Sequence, residues 1–227
     1  MDASPLSPLN PLPWAVWLLI LPVIAIEAVF LAGQIGLAGG PEAIGWRLIA
    51  VQRHGFSSAL MQHVLETRRF LPADLWRLGS YAFVHVAPIQ ALFVVVLIAA
   101  LGRAVGQVFH GAAVLAVALA ASVGGALVYG AIFPEPYWLA GGYPAVFGLV
   151  GAYTFMLWND LAQGGAPRAR AFGLVAVLLG LRVAVGLAIG TGHEWAADIA
   201  GFAIGFGLSF LVSPGGWRGT LDRLRER

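Results

Sequence analysis

The run Ala112 to Ile132, AAVLAVALAASVGGALVYGAI, contains no charged side chain. The hydrocarbon layer of a bilayer is about 30 Å thick and a helix rises about 1.5 Å per residue, so about 20 apolar residues in succession read as a helix that crosses it. Five further stretches repeat the pattern: Trp14 to Ala32, Ser80 to Leu101, Pro144 to Trp158, Phe172 to Ile189 and Trp195 to Val212. Within lipid every backbone polar group must be satisfied inside the chain, and the connections between most of these runs are too brief for a separate domain. The expectation is an all-α membrane protein, a six-transmembrane-helix bundle over residues 14–212.

Composition points the same way. Of 227 residues, 59% are hydrophobic and 11% charged, against about 25% charged in a water-soluble domain. The absence of cysteine excludes disulfides, thiolate metal sites and cysteine nucleophiles. The net charge of +2 comes with no basic stripe, so no nucleic-acid partner is expected. All 13 basic residues are arginine, and the wealth of Ala, Gly, Arg and Pro suggests a GC-rich bacterial genome and an inner-membrane location. Six spans put both termini on one side. Arg103, Arg168, Arg170 and the tail residues Arg218, Arg223, Arg225 and Arg227 favour a cytoplasmic location for that side. Residues 1–13 then form a cytoplasmic segment and 213–227 a basic cytoplasmic tail. In the first loop, 33–75, Trp46, Ile49, Phe56, Leu60 and Val64 recur at near-helical spacing, the pattern of a helix lying in the membrane interface.

Polar side chains inside lipid are costly and each needs an account. Glu27 lies in the first span, His85 and Gln90 in the second, Tyr143 at the start of the fourth, Arg182 in the fifth and Asp198 near the start of the sixth. Chain direction places His85, Gln90, Tyr143 and Asp198 at similar depth, and the long side chain of Arg182 can snorkel to them, so one buried polar cluster is expected. Glu27 reads as protonated or facing a crevice, His85 as a hydrogen-bonded core histidine, and Arg182 with Asp198 as a structural ion pair. No second histidine shares a helix face with His85, so no metal site is expected. No serine in the spans comes within reach of a histidine, which leaves no Ser–His pair.

Three segments carry a resemblance. Trp76-Arg77-Leu78-Gly79-Ser80-Tyr81-Ala82-Phe83-Val84-His85 follows the pattern W-R-x-x-T/S-x-x-F-x-H. Gly141-Gly142-Tyr143-Pro144-Ala145-Val146-Phe147-Gly148-Leu149-Val150-Gly151-Ala152 follows G-x-S-G-x-x-F-G-L-x-G-A, and Trp195-Ala196-Ala197-Asp198-Ile199-Ala200-Gly201-Phe202-Ala203-Ile204-Gly205 follows W-x-x-H-I-x-G-F-x-x-G. In order, spacing and helix count the chain resembles the rhomboid intramembrane serine proteases from about Leu75 to Val212. The resemblance implies a rhomboid-like bundle in which the fourth and sixth spans pack closely. Gly141, Gly148, Gly151, Gly201 and Gly205 supply the small faces that allow such an approach.

The departures fall on the chemistry. The family's nucleophilic serine position is occupied by Tyr143 and its general-base histidine position by Asp198; the oxyanion-donor positions of the second span fall on Gln90 and Val94. An acidic position of the family falls on Gly106. Acyl transfer needs an activated nucleophile and donors aimed at the developing oxyanion. A phenol oxygen lies several ångströms beyond the serine position, and Pro144 has no backbone N–H to offer. The resemblance therefore implies a pseudoprotease without catalytic residues or cofactors. Its expected partners are membrane lipids and the transmembrane helices of other proteins, met through the first loop and the gap between the second and fifth spans. Within it, the Tyr143 hydroxyl is expected to bond the Asp198 carboxylate. Two alternatives stand beside this reading: a protease using unconventional residues, and a small transporter or proton conductor using Glu27, Arg182 and Asp198.

Overall fold

The computed structural model describes residues 12–68, 72–133, 138–189 and 193–214, without the side chains of a few residues inside helices. The segment 1–11 and the arginines of the tail lie outside the described residues. Nine helices occur among the described residues: α1 Trp14–Gln34, α2 Trp46–His54, α3 Ser58–Thr67, α4 Pro72–Ser80, α5 Pro88–Gly106, α6 Gly111–Ile132, α7 Tyr143–Gln163, α8 Gly173–Ile189 and α9 Trp195–Val212. Two short strands, β1 Phe56–Ser57 and β2 Trp138–Leu139, pair antiparallel with Phe56 opposite Leu139. Helices α1, α5, α6, α7 and α9 are each long and apolar enough to cross a membrane. The sixth member of the bundle, α8, has 17 described residues and is apolar except for Arg182. The chain is an integral membrane protein with an all-α bundle.

The second span differs from the expectation of one helix from Ser80. Helix α4 ends there, a 3-10 turn follows over Tyr81–Phe83, and α5 begins only at Pro88. Proline fixes φ near the helical value and its missing N–H costs nothing in a first turn, while the residue before it is steered into extended backbone. Ala87 is indeed extended, with φ −138° and ψ 147°. His85 consequently sits in a break before the helix, not in a span.

The first loop also differs from a single interfacial helix. Gly55 ends α2, and Phe56 leaves the helical register to pair with β2. Phe56 is buried with Tyr81, Tyr129 and Leu139. Helix α2 buries none of its residues and exposes Leu48 and Ile49, whereas α3 buries Val64 and sets Met61 against Gly130 of α6.

Helix α7 is the centre of the bundle, buried without interruption from Pro144 through Ala152. Its closest neighbour is α9, and the glycines explain the approach. A methyl group on Gly201 would stand 2.5 Å from the Pro144 carbonyl oxygen. One on Gly205 would strike the Gly148 carbonyl, and one on Gly151 the Phe202 carbonyl. Backbone therefore lies on backbone, the arrangement that gives van der Waals association in lipid, where the hydrophobic effect between helices is absent. Towards the other end of these helices, Phe155, Phe206 and Phe210 stack edge to face and Trp158 closes the ladder, with the Arg168 guanidinium 4.5 Å from the Trp158 ring centre.

Candidate functional site

The turn Ala140–Gly142, which aims Tyr143, is held from three sides. Gly141 has φ of +108°, a conformation that L side chains rarely adopt, and its N–H donates to the Tyr81 carbonyl at 2.9 Å. The Gly142 N–H donates to His85 Nε2 at 3.2 Å, and the Gln90 Nε2 amide donates to the Ala140 carbonyl at 3.1 Å. Gln90 Oε1 accepts from the Val86 N–H at 3.0 Å. Tyr81 is itself anchored, its hydroxyl donating to the Ser122 carbonyl of α6 at 2.7 Å. Val94 is fully buried beneath the turn, where a methyl on Gly142 would meet its Cγ1 at 2.8 Å.

His85 is placed by its backbone as well. The Arg47 guanidinium donates to the His85 carbonyl at 3.0 Å and to both oxygens of Glu27 at 2.8 and 2.7 Å, and it lies 4.9 Å from the Phe30 ring centre. Glu27 thus joins the first loop to α1 through a two-pronged ion pair, where the expectation was a protonated or crevice-facing acid. A carboxylate and a guanidinium match in shape, which makes the pair directional as well as charged. Of the other motif residues, Trp76 is exposed and its indole N–H lies 3.4 Å from His54 Nδ1, while Arg77 is half-buried near the end of α4. Gly106 packs against Pro13 at the start of α1.

On the other side of the turn stands a second polar group. Arg182 of α8 donates from Nε to Asp198 Oδ2 at 2.7 Å and from a terminal nitrogen to Glu194 Oε2 at 2.7 Å. Its guanidinium carbon sits 4.2 Å from the centre of the Tyr143 ring. Asp198 is wholly buried and its Oδ1 has no hydrogen-bond partner. The single cluster expected from the sequence is therefore two: His85 and Gln90 hold the turn, and Arg182, Asp198 and Tyr143 lie beyond it with Glu194.

The expected bond from the Tyr143 hydroxyl to Asp198 is not formed. A permanently charged guanidinium offers stronger, charge-assisted donors than a neutral phenol, so Arg182 takes the carboxylate and leaves Tyr143 the role of a π face for its charge. Glu194 and Arg47 lie in segments that the sequence marks as connections between spans, where a charge is ordinary. A signal for Glu194 existed: it stands four residues before Asp198, the spacing that puts two side chains on one helical face. Beside Glu194, His193 packs its ring 4.5 Å from that of Phe133.

Chemically, the arrangement binds charge and fixes backbone. Both ends of the Gln90 amide are engaged, His85 Nε2 accepts a backbone hydrogen bond, and position 144 carries no N–H. Among the described residues no group of His, Asp and Glu is gathered that would hold a metal ion. A family profile described as "Rhomboid: Rhomboid domain" matches residues 72–215. None of the curated proteins matches the chain.

Proposed function

The chain belongs to the rhomboid family, and on that premise we propose that it is a pseudoprotease, binding transmembrane segments of other membrane proteins without cleaving them. The observation that carries this reading is the state of the two positions where the family's dyad falls. Tyr143 presents its ring to a guanidinium, and Asp198 is tied to that guanidinium at 2.7 Å. A carboxylate held by an arginine, with no hydrogen bond to the Tyr143 hydroxyl, is not placed to activate a nucleophile. The loss of an amide at Pro144 and the apolar side chain of Val94 leave an oxyanion poorly supported.

The retained turn, the close α7–α9 contact and the lightly packed α8 support a scaffold that receives a helix from the side. Such a scaffold suits the assembly, stabilisation or quality control of client membrane proteins, or a fixed place in a membrane complex. We place it in a bacterial inner membrane with both termini in the cytoplasm, on the arginine distribution and composition. The test is twofold. Purified full-length chain in lipid nanodiscs should capture single-span helices in a co-purification from native membranes. It should also stay unlabelled by a fluorophosphonate probe, whereas labelling lost on Tyr143→Phe or Asp198→Asn would show an unconventional protease.

A further inference from the structure

The polar group around Arg182 is unbalanced. Two carboxylates, Asp198 and Glu194, share one guanidinium, so the group carries one excess negative charge, with one of its acids wholly buried. Isolated charge is expensive in such a setting and calls for a partner. The two acids differ in access: the Asp198 side chain is 1% exposed and Glu194 25%. They also differ in saturation, because Asp198 keeps one buried oxygen, Oδ1, without any donor.

We infer that Glu194 is the docking point for a cationic side chain on a client transmembrane helix, and that Asp198 Oδ1 is the reserve acceptor that makes this docking possible. Arg182 now spans the two acids, with Nε on Asp198 and a terminal nitrogen on Glu194. When a client lysine or arginine takes Glu194, the terminal nitrogen of Arg182 turns to the idle Asp198 oxygen. The guanidinium then grips Asp198 through both oxygens in the paired geometry such groups favour. One unbalanced triad becomes two neutral pairs. Asp198 stays sealed throughout, and only Glu194, a quarter exposed, must be reached. Glu194 sits immediately before Trp195, the first residue of α9, so the client's cation belongs about one turn or less from the end of its span. Long basic side chains are tolerated at that depth because they can reach the interface when unbound.

This inference rests on the proposed lateral binding of helices, and the experiment separates the two. A poly-Leu/Ala transmembrane peptide with a single guest residue one turn from the end nearest α9's start is reconstituted with the full chain in nanodiscs. Binding is followed by energy transfer, with Lys, Leu or Glu as the guest. The Lys peptide should bind about tenfold more tightly than the Leu peptide, and the Glu peptide more weakly than either. Glu194→Gln and Asp198→Asn should each abolish the Lys advantage, read as the ratio of Lys to Leu peptide affinity within the same variant. Arg182→Gln, which frees both acids, should keep or enlarge it. Equal binding of Lys and Leu peptides overturns the inference, and so does an advantage that survives Glu194→Gln; a site neutralised by a bound proton alone would give the first of these. If no peptide binds, the lateral-binding function itself fails.

Discussion

Replacing Gly201 by alanine tests the contact on which the whole arrangement rests. The added methyl would lie 2.5 Å from the Pro144 carbonyl oxygen and 3.1 Å from its carbonyl carbon. A close carbon–oxygen contact lies at about 3.3 to 3.6 Å, so α9 must retreat by about 1 Å. Pro144 cannot yield instead, because α7 is buried without interruption from that residue through Ala152. Overpacking of this kind costs about 1–3 kcal/mol. Alanine also favours the helix over glycine by about 1 kcal/mol, which would mask part of the loss. Gly207 on the same helix supplies the correction: a methyl there meets nothing within 4 Å, so Gly207→Ala gains the propensity alone. The two variants should therefore differ by the full overlap cost of about 1–3 kcal/mol, with Gly207→Ala the more stable. Reversible unfolding in mixed micelles, titrated with SDS and followed by tryptophan fluorescence, measures the difference. Equal midpoints for the two variants would refute the backbone contact between α7 and α9.

Other expectations follow from the polar groups. Arg182→Gln strands Asp198 as a buried unpaired carboxylate and should destabilise the protein by about 3 kcal/mol or more; adding Asp198→Asn should restore much of that, and strictly additive losses in the same unfolding assay would contradict the pairing. Glu27→Gln should raise hydrogen exchange across α2 and the turn at His85 while leaving α7 and α9 protected, because Arg47 is the link between them. Gly142→Ala should be destabilising through its clash with Val94, and Val94→Ala should recover part of the loss in the thermal unfolding of the double variant. Tyr143→Ser, which restores a hydroxyl at the family's position, should give no hydrolysis of a transmembrane substrate, since Asp198 remains bound to Arg182 and Pro144 still lacks an amide.

The bundle was legible in the sequence because a span needs only length and apolarity, which no distant residue can disguise. The α7–α9 approach was legible for a similar reason, since Gly148, Gly151, Gly201 and Gly205 announce it locally, whereas Gly141, expected to share in it, serves the turn against Gln90 and His85. The break before Pro88 was hidden by the apolar run around it, although proline at a helix start was the available signal. Phe56 deceived the helical reading by falling near the right register while Gly55 had already ended the helix. Within the site, Arg182 and Asp198 were visible as lone charges in apolar runs, but which of two donors wins Asp198 depends on geometry, and the arginine wins it from Tyr143. The partners Arg47 and Glu194 lie in connecting segments where a charge is unremarked, and only the folded chain brings them to Glu27 and Arg182.

The most direct test of the account is cleavage itself. Purified wild-type chain, co-reconstituted in liposomes with an equimolar single-span substrate and sampled over a day, should leave the substrate at its intact mass by mass spectrometry. Fragments cut within the span, formed by the wild type and lost on Asp198→Asn, would contradict it.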